Sequence, residues 1–154
     1  MYTFLILIHS IVRWLILPAI IFALFRGFRG WFQKKAFTET DDTVRHVTAT
    51  LTHIQLMVGY VLYFNSPFIG YFRAHFKEAV KQFDFVFFGM IHITLMTIAI
   101  IVVTISSSVA KRHQSDRSKF KTMTIFYLIA FIIILIAIPW PFSPLSARPY
   151  FRGF

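Results

Sequence analysis

The stretch of sequence that decides the fold is residues 5–17, which read LILIHSIVRWLIL. This run is apolar enough to belong to a membrane-crossing helix, yet it contains a histidine and an arginine. His9 and Arg13 are four residues apart, so on a helix they lie on the same face, one turn from each other. Because neither side chain is stable in hydrocarbon without a polar partner, this face is predicted to meet a ligand or other polar groups.

The composition of the whole chain indicates a membrane protein. Of its 154 residues, 57% are hydrophobic and only 14% are charged, whereas a soluble domain has about 25% charged residues. The chain has no cysteine, which excludes a disulfide, a thiolate metal site and a covalently attached haem. The net charge of +10 comes from basic residues between the apolar runs, which indicates membrane topology and anionic lipid headgroups rather than nucleic acid.

Four apolar runs predict an all-α, integral membrane four-helix up-down bundle that forms one transmembrane domain over residues 1–154. The predicted spans are residues 3–25, 44–64, 84–109 and 124–138. Residues 71–83 have apolar side chains at helical spacing, which predicts a short amphipathic helix on the membrane surface between the second and third spans. The tail, residues 139–154, is predicted to lie extended at the interface.

The distribution of lysine and arginine predicts the orientation of the chain. These residues are concentrated in the segments that follow the first and third spans. The positive-inside rule then places both segments in the cytoplasm. The sequence therefore predicts a multi-pass protein of the bacterial inner (cytoplasmic) membrane with both termini on the periplasmic side.

Three histidines lie in separate predicted spans, namely His9, His53 and His92. Counted from the span midpoints, His9 and His92 lie at a similar depth in the outer half of the membrane, and His53 lies near the midplane. In an up-down bundle the first and third spans face each other diagonally, so His9 and His92 are the candidate axial ligands of one haem iron. Gly89 would leave space for the flat macrocycle. Arg13 would pair with a haem propionate or a quinone oxygen.

Other interpretations of the histidines stay open at this point. In one interpretation, His53 takes the place of His9 or His92 as a metal ligand. In another, His53 and Gln55 contact a quinone. The histidines would also suit helix-bridging hydrogen bonds in a non-catalytic accessory or assembly subunit of a larger membrane complex. Methionines near His53 and His92 leave a copper site as a third interpretation. No nucleophile constellation, phosphate-binding loop or pair of carboxylates within the spans supports hydrolase or nucleotide-driven chemistry.

Several motifs resemble a family of small bacterial four-span membrane proteins labelled cytochrome b-like. They are LIHSIVRW, HIQLMVGYVLYF, IHITLMTIAIIVVTI followed by AKR, and the ending IPWPF…ARPYFRGF. The resemblance covers nearly the whole chain. It implies haem b and membrane electron transfer. The first hypothesis for the chain is therefore a cytochrome b with one haem that transfers electrons between a quinone pool and a partner protein in the membrane or the periplasm. The chain would act as a homo-oligomer or as a subunit of a redox complex rather than as a stand-alone enzyme.

This chain departs from the broader transmembrane cytochromes b that bind two haems. Those proteins use four histidines in two diagonal pairs. This chain has three histidines at mid-membrane depth and no histidine in the fourth span. At most one such pair of ligands therefore remains.

Overall fold

The computed structural model describes residues 2–146 and Arg148. Within these residues all of the regular secondary structure is helical. The helices are α1 (Tyr2–Phe32), α2 (Glu39–Asn65), α3 (Pro67–Ala74), α4 (Phe76–Ala79), α5 (Phe83–Val86), α6 (His92–Arg112) and α7 (Asp116–Ala137), and a π-helical turn, Phe87–Ile91, joins α5 to α6. Four helical segments are long and apolar enough to cross a membrane, namely Tyr2–Phe32, Glu39–Asn65, Phe83–Arg112 and Asp116–Ala137.

The four long helices extend beyond the predicted spans. α1 continues past residue 25 to Phe32 through two arginines, because charged side chains outside hydrocarbon do not end a helix. α2 begins at Glu39 because Thr38 caps it: the Thr38 hydroxyl accepts from the Asp41 backbone N–H, and the Asp41 carboxylate accepts from the Thr38 backbone N–H at 2.9 Å. Hydropathy located the apolar centre of each long helix, and the Thr38 cap determines where α2 begins.

The prediction of one surface helix over residues 71–83 is wrong in its bounds. The Ser66 hydroxyl caps α3 and Pro67 occupies its first turn, so the helix starts earlier than predicted. His75 has φ −121° and ψ 42°, which interrupts the helix before the single turn of α4. Phe72 is buried in the protein, whereas Phe76 is 51% exposed. Of the predicted tail, residues 139–146 and Arg148 are described, and the rest lies outside the described residues.

The contacts between the long helices place α1 and α6 across the core from each other. α1 packs against α2 and α7, and α6 packs against the same two helices. The beginning of α1 lies beside the second half of α2, as shown by the Gln55 side-chain amide, which donates to the His9 carbonyl at 2.9 Å. The beginning of α6 similarly lies beside the end of α7, where the His92 ring contacts the Ala137 carbonyl.

The closely packed core occupies the half of the molecule toward the end of α1. Gly27 and Gly30 of α1 pack directly against Thr124 and Phe120 of α7, where no Cβ would fit beside the partner side chain. Tyr127, Met123 and other fully buried side chains of α7 continue this core. The opposite half, around the beginning of α1, is more open and contains the site described next.

Candidate functional site

A cavity of about 250 Å³ lies between α1, α2, α6 and α7 near the beginning of α1, and it is partly open to the surroundings. Its lining is mostly apolar. Several polar side chains converge on it, including His9, Arg13, Gln55, His92 and Arg148. The predicted pairing of His9 and Arg13 on one helix face is thus observed, because both line the same space.

His9 and His92 are brought together across the core. Their ring centroids are 6.5 Å apart, and the ring planes are inclined by 66°. The His9 Nδ1 atom is buried and has no hydrogen-bond partner among the described residues. Gly59 of α2 makes room for this ring, since a Cβ there would lie 3.4 Å from His9 Cε1. His9 is therefore a buried imidazole with unused hydrogen-bonding capacity at the cavity wall.

The orientation of His92 is set by a hydrogen bond to α7. Its Nδ1 atom lies 2.8 Å from the Ala137 carbonyl oxygen, which can only accept, so Nδ1 carries the proton and donates. The lone pair is then on Nε2. Histidine ligands of metals are commonly oriented in this way, by donation from the other ring nitrogen to a backbone carbonyl.

A π-helical turn directly precedes His92, whose backbone N–H bonds to the Phe87 carbonyl. Turns of this kind inside α-helices occur frequently at functional sites. Within it, the Gly89 carbonyl accepts a hydrogen bond from the Tyr63 hydroxyl at 2.8 Å. A Cβ on Gly89 would lie 2.6 Å from the Phe72 ring. The ring of Phe72 therefore takes the space beside Gly89 that was predicted for a macrocycle.

His53 does not join the other two histidines. It is exposed on the surface where α2 and α6 meet, and its Nε2 atom lies 2.8 Å from the Thr104 hydroxyl. That hydroxyl donates to the Ile100 carbonyl, so it accepts from His53. Among the described residues, His53 is not part of the cavity lining, which weakens its assignment as an alternative ligand.

Arg148 also lines the cavity, although its segment is predicted from the sequence only as an extended tail. Its guanidinium lies 3.9 Å from the Asp84 carboxylate and 4.8 Å from the centroid of the Phe88 ring. No local sequence signal indicates this position. Residues 84 and 148 are brought together only by the packing of the chain end.

The fold and the cavity together define an all-helical protein with four helices able to cross a membrane and a histidine-lined cavity between them. In comparisons with family models, curated proteins and solved structures, nothing matches this chain.

Proposed function

We propose that the protein is a membrane-embedded b-type cytochrome that carries one non-covalent haem b with His9 and His92 as axial ligands. The separation of the two rings is the observation that supports this most directly. With metal–nitrogen bonds of about 2.0–2.1 Å, two imidazoles on one metal ion have ring centroids about 6 Å apart. The observed separation of 6.5 Å is close to that value before any adjustment of the side chains.

The number of candidate ligands favours haem over a metal ion alone. No group of three or more His, Cys, Asp or Glu side chains able to hold a metal ion occurs among the described residues. A protein zinc site needs three or four protein ligands. A haem iron needs only two axial protein ligands, since the porphyrin supplies the other four. A pair of histidines in a mostly apolar cavity suits that requirement.

The remaining polar residues of the cavity have roles toward the same group. His92 would present Nε2, because its Nδ1 proton is engaged by Ala137. Arg13 would bind a propionate. When bound, haem supplies reversible one-electron transfer. The apolar lining would exclude water around the haem. Because the cavity of about 250 Å³ is partly open, part of the haem would extend beyond it.

The proposal includes the cellular setting. The four long helices would form an up-down bundle in the bacterial inner membrane, with both termini periplasmic, and would pass electrons between a quinone pool and a partner protein. The opposite directions of α1 and α2 support the bundle. His9, near the beginning of α1, lies beside Gln55 in the second half of α2, whereas Arg26, near the end of α1, pairs with Asp41 at the beginning of α2. We include in the same proposal that the chain is a member of the cytochrome b-like family that its motifs resemble.

A second candidate function is a non-catalytic accessory subunit of a larger membrane complex. The specific observation in its favour is that two of the histidines already bridge helices, His92 to Ala137 and His53 to Thr104. In that case the His9–His92 contact would be packing alone. The two functions differ in whether the folded protein has a haem spectrum.

The test is a reduced-minus-oxidised difference spectrum of the full chain purified from haem-replete cells. We expect sharp alpha and Soret bands, which His9→Ala and His92→Ala each abolish. His46→Ala, at an exposed position near the other end of α2, is the matched control and should keep the bands, as should His53→Ala. A colourless preparation with full helicity by circular dichroism would reject the cytochrome and favour the accessory subunit.

A further inference from the structure

The C-terminal segment folds back over the cavity. After α7, the Trp140 ring packs against Trp14 of α1, with ring centroids 6.3 Å apart. Pro139 and Arg148 both line the cavity. We call residues 139–146 together with Arg148 the C-terminal strap.

Asp84 holds the strap to the helix that leads to His92. The Ser146 hydroxyl donates to one carboxylate oxygen of Asp84 at 3.0 Å, and the Arg148 guanidinium lies 3.9 Å from the other. Ser146 is only 5% exposed, whereas the Asp84 side chain is 57% exposed, so this contact is half-buried. The strap and the π-helical turn before His92 are thereby connected through one carboxylate.

The strap changes the charge of the cavity. Two of its lining residues, Arg13 and Arg148, are cations, and no acidic residue is found among the described lining. Asp84 contacts Arg148 from outside that lining. A guanidinium has five N–H donors, so one carboxylate at 3.9 Å leaves donors for a ligand. Two cations beside a mostly apolar space favour an occupant with acid groups.

We propose that the strap is part of the binding site, and that Arg148 and Arg13 bind the acid groups of an amphipathic ligand whose apolar body fills the cavity. The inference rests on the proposed function, in which this ligand is haem b with its two propionates. Asp84 and Ser146 are positioning residues: they hold the strap so that Arg148 faces the cavity. The strap therefore selects for a free diacid over the same molecule with its acids blocked.

The test compares protoporphyrin IX, which has no iron, with its dimethyl ester. Binding of each to the full chain in detergent micelles is followed by porphyrin fluorescence. Arg148→Gln should weaken binding of the diacid by about tenfold or more, as expected for the loss of a charged hydrogen bond, and should leave binding of the diester unchanged. The matched control is Arg73→Gln on α3, an exposed arginine that stacks on Phe64 and is not in the described lining.

A second variant covers the case in which Arg148→Gln does not fold. Ser146→Ala removes only the hydrogen bond from the strap to Asp84. We expect diacid binding about threefold weaker, with the diester again unaffected, because one neutral donor to a carboxylate is lost. Both variants are measured at matched helicity.

The outcomes separate this inference from the proposed function. Equal diacid and diester affinities in the wild-type protein and Arg148→Gln overturn the inference, and so does an equal loss for both porphyrins. If the wild-type protein binds neither porphyrin, the inference is also overturned. If diacid binding depends on Arg148 but haem gives no spectrum that depends on the histidines, the acid-binding strap stands and the cytochrome assignment fails.

Discussion

The two ends of the helical bundle differ in whether their buried polar groups have partners in the chain. At the end of α1, Arg26 pairs with Asp41 at 2.7 Å, and the buried Arg45 is held by Asp42 and Ser107. At the beginning of α1, by contrast, His9 Nδ1 and Gln55 Oε1 are buried without a hydrogen-bond partner in the described part of the chain. The end of α1 thus satisfies its buried charged groups with partners in the chain, whereas the beginning of α1 has buried polar atoms that face a cavity.

This difference suggests that the closed end contributes mainly to stability and that the cavity end is suited to binding a ligand. Tyr127, which is fully buried at the closed end, donates its hydroxyl to the Arg45 carbonyl at 2.8 Å. Ser106 is the exception there. A buried polar atom without a partner destabilises a fold by about 1–3 kcal/mol. Buried polar atoms without a partner are therefore expected at the cavity end if a ligand binds there and becomes their partner.

The largest expected effect tests the closed end. Arg45→Met removes a side chain that is 4% exposed together with its bonds to Asp42 and Ser107. We expect the free energy of unfolding to fall by about 3 kcal/mol, because the Ser107 oxygens lose a charged hydrogen-bond donor, whereas the Asp42 side chain is 53% exposed and stays solvated. The measurement is an SDS unfolding titration in mixed micelles, with the exposed Arg29→Met on α1 as the control. Equal stability of the two variants would contradict the assignment of Arg45 as a structural centre.

The second effect concerns the close packing of α1 and α7. Gly30→Ala would place a methyl group against the Phe120 ring, so overpacking should lower the free energy of unfolding by about 1–3 kcal/mol. Gly70→Ala on α3 is the control, because a Cβ there meets no atom within 4 Å. The same SDS titration compares them. A stabilised Gly30→Ala variant would show that the two helices are farther apart than described.

The third prediction is that a substitution at the cavity end raises the free energy of unfolding, whereas the substitutions at the closed end lower it. His9→Leu removes an Nδ1 atom that has no hydrogen-bond partner among the described residues, so the free energy of unfolding of the protein without ligand should rise by about 1–2 kcal/mol. Under the proposed function, the same variant has no haem spectrum. Tyr127→Phe at the closed end is the matched comparison and should lose about 1 kcal/mol, because its hydroxyl has a partner. If both substitutions destabilise equally, the contrast between the ends is wrong.

The smallest effect concerns the beginning of α2. Thr38→Ala removes the cap whose hydroxyl accepts from the Asp41 backbone, and should lower the free energy of unfolding by about 1 kcal/mol without changing ligand binding. Thr43→Ala, at an exposed position inside the same helix, is the control. Thermal unfolding followed by circular dichroism is the measurement. A loss of haem spectrum in Thr38→Ala would show that the two ends are coupled.

The general fold and part of the site could be predicted from the sequence. Long apolar runs predicted four long helices because hydrophobicity is a local property of the chain. The four-residue spacing of His9 and Arg13 predicted their common face for the same reason. His53 looked equivalent to the other two histidines, because hydropathy does not show which face of α2 is turned toward the core.

Other features depended on residues far apart in the chain. The sequence by itself determined an all-helical protein with four long apolar helices and polar residues set within them. Only the tertiary structure decided that His92 faces His9, that Phe72 fills the space beside Gly89, and that Arg148 reaches the cavity. The physical reason is that helix formation depends on neighbouring residues, whereas the rotation of each helix and the path of the chain end depend on how all the helices pack together.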